Sequence, residues 1–234
     1  MQDYPNSYYI DSLDRNLIQH PSLLDSHECD LCIIGGGFTG LSTAIEASKK
    51  GLKVILLEQN KIAWGASGRN GGQIGIDISS GVQNLEKKYG FETVKNLWNV
   101  SLDAVKLIDQ RIDEFKIQCD KKTGNLSVAT NHSTVKDFES EIDYYQNKLD
   151  YHSTRILTRD EVTEAVGSNR YFGGHLQKDG GHLHPLKYAL GLADAALSMN
   201  VNIYEDSKVI KINEKKNYVE VLTSNGSVKA KNIA

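Results

Sequence analysis

The sequence predicts a three-layer α/β protein whose sheet combines parallel and antiparallel strands, interrupted by an α+β insertion. Three observations predict it. A short apolar run, Leu31 to Ile34, enters Gly35-Gly36-Gly37-Phe38-Thr39-Gly40, a G-x-G-x-x-G turn. An amphipathic segment then leads to a second apolar run, Val54 to Leu57, which ends on an acid, Glu58. Near the end of the chain a proline-led helical stretch is followed by three strand-like runs.

Each part of the first unit has a physical task. Gly35 makes the tight strand-to-helix turn, Gly37 lets backbone approach a pyrophosphate, and Gly40 lets the helix pack closely on the sheet. The helix start at Thr39 offers free N–H groups and a positive dipole end to phosphate oxygens. Leu41, Ala44, Ile45 and Ser48 fall on one face at helical spacing. Lys49-Lys50-Gly51 supplies a basic last turn and a glycine stop. Val54 to Leu57 lacks polar alternation, as a parallel strand covered on both faces does. Glu58 lies eighteen residues past Gly40, where an acid takes hydrogen bonds from a ribose. The unit therefore predicts dinucleotide binding.

Residues 1–28 are irregular and predict an arm packed on the body. Residues 61–81 are rich in glycine and small polar groups. Val94, Trp98, Ser101, Val105, Ile108, Ile112 and Phe115 follow a 4-3 spacing that predicts a long helix over 91–115 packed on a core. A strand is predicted over 124–130 and a polar helix over 135–149. Thr158-Arg159-Asp160-Glu161 reads as a capping box, because Thr158 and Glu161 can satisfy each other's free backbone donors. Pro185 opens a helix through Leu186, Leu190, Ala193 and Leu197, at the one position where proline costs nothing. Strands are predicted over 208–212, 218–223 and 228–234, with Ser224-Asn225-Gly226 as the hairpin turn between the last two. The predicted division is 1–81 with 180–234 as a discontinuous nucleotide domain, and 82–179 as the inserted one.

The chain has 234 residues, with 27 basic and 30 acidic side chains and a net charge of −3. That balance gives no reason to expect nucleic acid or an anionic membrane as partner. No apolar run approaches a membrane span, and the start of the chain lacks a secretory pattern, so a cytoplasmic protein is the expectation. Cys29-Asp30-Leu31-Cys32 spells C-x-x-C but leads into a strand rather than a helix. Residues three apart on a strand point to opposite faces, which argues against a disulfide or a zinc site. His175 has no visible set of companion ligands for zinc.

Trp64-Gly65-Ala66-Ser67-Gly68-Arg69-Asn70-Gly71-Gly72-Gln73 is a second dense motif. Its glycines let backbone lie flat against a planar ligand, and Arg69 and Ser67 can serve a phosphate. A plain flexible loop is the alternative reading of that composition. With Gly180-Gly181-His182-Leu183-His184-Pro185, the two motifs resemble those of the FAD-dependent amine and amino-acid oxidoreductases of the D-amino-acid oxidase and glycine oxidase type. Gly-Ala-Ser-Gly-Arg-Asn-Gly-Gly-Gln at 65–73, Ser7-Tyr8-Tyr9 and Gln118-Cys119-Asp120 are most similar to the gamma-glutamylputrescine oxidase branch.

The resemblance implies a Rossmann-like FAD-binding domain, an α+β substrate domain, and FAD rather than NAD. It places the ADP half on Gly35, Gly37, Phe38, Thr39 and Gly40, and the adenosine ribose on Glu58 and Gln59. Ala66, Ser67, Arg69, Asn70, Gly71 and Gly72 would lie along the pyrophosphate and flavin. Val209, on the strand after Asp206, would meet the adenine. The implied reaction takes a hydride from the carbon beside an amine nitrogen to flavin N5. The imine is then hydrolysed to aldehyde and ammonia, and dioxygen reoxidises the flavin to give peroxide. The implied partners are a small-molecule amine and dioxygen. No catalytic residue is identified; His182 and His184 are the candidates, since alternate residues of an extended segment point the same way. Their other reading is that they order the turn into the Pro185 helix. Two alternatives stay open: an amino-acid oxidase or dehydrogenase with another substrate or acceptor, and a nucleotide-binding fragment without catalysis. The last residues, Val228 to Ala234, stop inside an apolar strand, which predicts a truncated member of the family with little activity.

Overall fold

The computed structural model describes residues 3–76, 78 and 81–234; Met1, Gln2, Asp77, Ser79 and Ser80 lie outside the described residues. The chain forms two compact units. The first holds Met1–Gly71, Arg111–Cys119 and His184–Ala234, and the second Gly72–Gln110 and Asp120–Leu183. The division read from the sequence differs from these units over 72–81, which group with the second, and over 111–119 and 180–183.

The first unit begins with a short helix, α1 (Tyr8–Asp11), then β1 (Ser26–Ile34), α2 (Phe38–Lys49) and β2 (Val54–Leu57). In the second unit come β3 (Gln73–Ile74), α3 (Val82–Tyr89), α4 (Phe91–Phe115), β4 (Lys122–Ala129), α5 (His132–Lys148), β5 (Thr154–Leu157), α6 (Arg159–Val166) and β6 (Gly173–His182). The last turn of α4, from Arg111, belongs to the first unit. The chain then returns to the first unit with α7 (Pro185–Ser198), β7 (Asn202–Tyr204), β8 (Lys211–Glu214), β9 (Val219–Leu222) and β10 (Ser227–Ile233).

The sheet of the first unit has the order β7-β2-β1-β10-β9-β8. β7, β2, β1 and β10 run parallel, with Leu31 beside Val54 and Cys29 beside Ala230. β10, β9 and β8 form an antiparallel meander joined to the parallel strands through β10. The hairpin between β9 and β10 turns at the predicted residues, with Gly226 N–H donating to Thr223 Oγ1 at 3.0 Å. All four residues of β2 are buried, as its unbroken apolar run requires. α2 buries Leu41, Ala44, Ile45 and Ala47; each large aliphatic side chain so placed contributes roughly 1.5–3 kcal/mol.

Long-range polar contacts complete this unit. Arg111 is 4% exposed, and its guanidinium donates to Ser42 Oγ at 2.6 Å and Glu46 Oε1 at 3.1 Å on α2. Nothing local in the sequence marks Arg111, because both partners lie more than sixty positions away.

The C-x-x-C thiols sit differently from the expectation. Cys29 and Cys32 are free, yet both enter one buried cluster with Leu23, Ile55, Leu57, Val221 and Val228. Between them the N–H groups of Asp30 and Leu31 both reach Lys53 O, at 2.9 and 3.2 Å, a local departure from the regular ladder. Burial pushes the Cys29 thiol up to about 11 and the Cys32 thiol up to about 12.

In the second unit β6 pairs antiparallel with β4, β5 and β3. The sequence reading contained no strand here, because four of its ten residues are glycines. The structure supplies the reason: a Cβ on Gly174 would lie 2.9 Å from Ser127 O, so β6 approaches β4 more closely than a side chain allows. Trp98 and Tyr145 stack with centroids 4.7 Å apart beside Tyr151, which forms the aromatic core of this unit. The capping box at α6 is present with both its bonds. Among the described residues, no helix is long and apolar enough to cross a membrane.

Candidate dinucleotide site

The site is built at the carboxyl ends of β1 and β2, within the first unit. Gly35 adopts φ +110°, a conformation L side chains rarely take, and its N–H donates to Leu57 O at 2.8 Å. The chain thus leaves β1 toward α2 without breaking the sheet. Gly37 is the N-cap of α2, which begins one residue earlier than the sequence suggested, at Phe38. Having no side chain, Gly37 itself caps none of the first N–H groups of the helix. A Cβ on Gly40 would fall on the carbonyl oxygen of Gly35, with Ile33 Cγ2 at 3.3 Å, so its bareness is what allows α2 to cross β1 closely.

The second motif folds back onto the first. Ala66–Gly68 forms a single 3-10 turn. Ser67 Oγ accepts from Phe38 N–H at 3.0 Å, and a Cβ added to Gly37 would stand 2.8 Å from that oxygen. Ala63 N–H donates to Gly36 O at 2.9 Å. Asn70 Nδ2 donates to Ala66 O at 3.1 Å and Ser67 O at 3.0 Å, closing the loop on itself. Arg69 is exposed, lies over the Trp64 ring at 4.9 Å, and donates from Nε to Gly65 O.

Glu58 follows β2 and is half-buried. Its Oε2 accepts from Gly36 N–H at 2.7 Å and its Oε1 from Asn60 N–H at 2.8 Å. A carboxylate oxygen has more than one acceptor position, so both can take a further donor from a ligand. Gln59 beside it is exposed. Gly71 is exposed and ends the first unit, while Gly72 is buried in the second, where its carbonyl accepts from Leu183 N–H at 3.0 Å.

Val209 differs from its expected setting. It lies before β8, whose first residue is Lys211, rather than on a strand. The segment after Asp206 stays irregular until Ile210 N–H reaches Leu222 O. Val209 is half-buried and packs on the cluster that contains Cys29 and Ile55.

The two histidines part company. His184 is buried and is the N-cap of α7: its Nδ1 accepts from Lys187 N–H at 3.1 Å. Its Nε2 lies 3.1 Å from Ser12 Oγ, and the rings of Tyr8 and Tyr9 pack against it. Its backbone N–H donates to Cys119 O at 2.7 Å. Tyr8, Tyr9, Ser12 and Cys119 thereby meet at the turn before α7. His182 is exposed at the end of β6, opposite Gln73 and Lys122. His175 is buried, bonds through Nε2 to Thr154 Oγ1, and has Glu141 Oε2 at 3.7 Å.

The arrangement can receive an anion at the start of α2, a hydroxyl-rich ring at Glu58, and a flat group along the glycine loop. Sequence reasoning missed Glu205, which is 2% exposed and accepts from Ile62 N–H at 2.7 Å. Its only sequence signal was its place just after the short segment that forms β7, Asn202–Tyr204.

Residues 30–233 match the family described as DAO, FAD dependent oxidoreductase. The chain is 39% identical over 228 residues to "Probable oxidoreductase OrdL" of Haemophilus influenzae, covering 97% of this chain and 52% of that protein. It is 36% identical over 234 residues to gamma-glutamylputrescine oxidoreductase of Escherichia coli, covering 99% of this chain and 54% of that one. The chain thus spans about half the length of the curated relatives it matches. Among solved structures, glycine oxidase from Geobacillus kaustophilus superimposes with TM-score 0.70 at 20% identity, over 88% of this chain and 54% of that one. An L-amino acid deaminase from Proteus myxofaciens gives TM-score 0.77 at 21% identity, over 94% and 48%. At those identities the structural likeness speaks for the fold.

Proposed function

This chain belongs to the DAO family of FAD-dependent oxidoreductases, and we propose that it binds FAD at the site just described and oxidises a primary or secondary amine of the gamma-glutamylputrescine kind. The observation that carries the cofactor reading is the meeting of the two glycine motifs at the start of α2. Gly37 and Ser67 leave room there for backbone and hydroxyl alone. That cradle fits a pyrophosphate, which needs close backbone donors and no intervening side chain.

In this reading Gly35, Gly37, Phe38, Thr39 and Gly40 face the ADP half. Glu58, already oriented by Gly36 and Asn60, takes the ribose hydroxyls with Gln59 beside it. Ala66, Ser67, Arg69, Asn70, Gly71 and Gly72 follow the pyrophosphate toward the flavin, and Val209 meets the adenine. When bound, FAD supplies the two-electron acceptor for the hydride that leaves the carbon beside the amine nitrogen, and dioxygen takes those electrons on to peroxide. His184 is given no proton-transfer role, since Nδ1 caps α7. The amine substrate is proposed on the similarity to the Escherichia coli oxidoreductase of that name.

The test is the absorbance spectrum of the purified chain before and after acid precipitation, with an FAD titration of the stripped protein. Flavin absorbance that appears on titration and saturates at one per chain is the expected result. A chain that takes up no flavin overturns the cofactor reading. Peroxide release across a panel of amines and amino acids then decides the substrate class, and turnover restricted to amino acids overturns the amine reading.

A further inference from the structure

The segment that joins the two glycine motifs is held by a device neither motif contains. Ile62 N–H donates to Glu205 Oε1 at 2.7 Å, and Ile62 O accepts from Tyr4 Oη–H at 2.7 Å. The two peptide units that flank Ile62 are therefore gripped, one by its N–H from β7's end and the next by its C=O from the N-terminal arm. The neighbouring Ala63 N–H reaches Gly36 O at 2.9 Å, and the buried Ile62 side chain lies directly beneath Gly36. Ala63 itself has φ +58°, a conformation unfavourable for a residue with a Cβ unless its surroundings enforce it. Trp64 Nε1–H, the next handle, donates to Asp3 O at 3.0 Å.

Glu205 is an expensive way to hold a loop. A carboxylate this buried needs compensation, and Lys61 Nζ provides it at 3.3 Å while also pairing with Asp206 at 2.9 Å. An apolar residue would pack there without that cost but could not receive the Ile62 N–H. The Tyr4 hydroxyl is pushed well above its ordinary range, first by burial and then by Glu205 and Glu58, so it keeps its proton and stays a donor.

We propose that Glu205 and Tyr4 are positioning residues for the cofactor site: together they clamp the backbone on both sides of Ile62, seat residues 61–63 under Gly36, and fix the spacing between the 35–40 turn and the 65–71 loop before any ligand arrives. This deepens the reading of the site as an FAD site and rests on it. Neither residue is assigned a contact with the ligand. The clamp acts by preorganisation, so its loss is felt as weaker binding of a ligand that must first order the loop.

The experiment uses the full chain with Glu205→Ala, Glu205→Gln and Tyr4→Phe. Hydrogen exchange of the flavin-free proteins, read on peptides covering 60–66, tests the clamp alone. Exchange at Ile62 rises in Glu205→Ala and stays near wild type in Glu205→Gln, whose amide oxygen still accepts. FAD affinity, read by quenching of flavin fluorescence, falls about tenfold in Glu205→Ala, a few-fold in Tyr4→Phe and less than about threefold in Glu205→Gln, the scale of one buried hydrogen bond. Rescue by glutamine is the readout that general destabilisation does not produce. If Glu205→Ala does not fold, Tyr4→Phe and Glu205→Gln carry the test: wild-type affinity in Tyr4→Phe, or a tenfold loss in Glu205→Gln, overturns the proposal. Unchanged exchange at Ile62 in a folded Glu205→Ala overturns it too, as does faster exchange with undiminished FAD affinity. A wild-type chain that takes up no flavin defeats the cofactor reading instead, and the exchange data then decide the clamp by themselves.

Discussion

Gly37→Ala asks whether the two glycine motifs are mechanically coupled. Gly37 has φ −91° and ψ −174°, which any residue can adopt, so the backbone offers no objection. The new Cβ would stand 2.8 Å from Ser67 Oγ and 3.7 Å from Ser67 Cβ. The hydroxyl must swing away, and its bond from Phe38 N–H at 3.0 Å goes with it. One such bond contributes about 1 kcal/mol. Ser67→Ala removes the same bond and leaves only the Cβ, at ordinary contact distance. Each single variant should therefore lose about 1 kcal/mol, and the double variant no more than either alone, a coupling of about 1 kcal/mol. Urea unfolding of the four proteins, followed by circular dichroism, measures this. A parallel FAD titration should show Gly37→Ala more impaired than Ser67→Ala, because only the former puts carbon where the pyrophosphate would lie. Additive stability losses, with the double variant near 2 kcal/mol, would refute the coupling worked here.

Gly40→Ala should be far worse for the fold than Gly37→Ala, since its Cβ meets the backbone oxygen of Gly35 rather than a movable hydroxyl; a loss of about 3 kcal/mol by the same urea assay is expected, and wild-type stability would contradict it. Cys29 and Cys32, both buried with raised thiol pKa values, should react slowly with a thiol reagent at pH 8 and promptly in denaturant; rapid labelling of the native chain would count against their placement. The Glu161 carboxyl is held down to about 2, first by Thr158 N–H, then by Arg155 and the Thr158 hydroxyl. Its folded pKa is depressed, so its stabilisation is complete above the ordinary 4.5 and is lost as pH falls through about 2. A carboxyl titration followed by NMR should show the low midpoint, and Thr158→Ala should raise it.

Most of the first unit, and one helix cap of the second, were legible because their signals are local. The turn at Gly35, the stripe of α2, the unbroken apolar run of β2, the capping box at Thr158 and Glu161, and the proline opening α7 each depend on neighbours within a few positions. Sequence spacing carries such information directly. β6 was not legible, because its glycines are chosen for closeness to β4, a fact about another strand.

The sequence by itself determined the class of fold and the position of the glycine turn between β1 and α2, and it singled out Glu58, whose carboxylate accepts from that turn. Tertiary structure decided what holds them in place. β10 is inserted beside β1 across about 200 positions, and Glu205 reaches Ile62 across 143. Arg111 finds Ser42 and Glu46 on α2, and Cys29 and Cys32 share one cluster despite their spacing. A buried polar side chain is specified by the donor or acceptor it meets, and that partner comes from a remote part of the chain only when the whole is folded. Periodicity can show which face of an element is covered; it cannot show which distant group completes a hydrogen bond there.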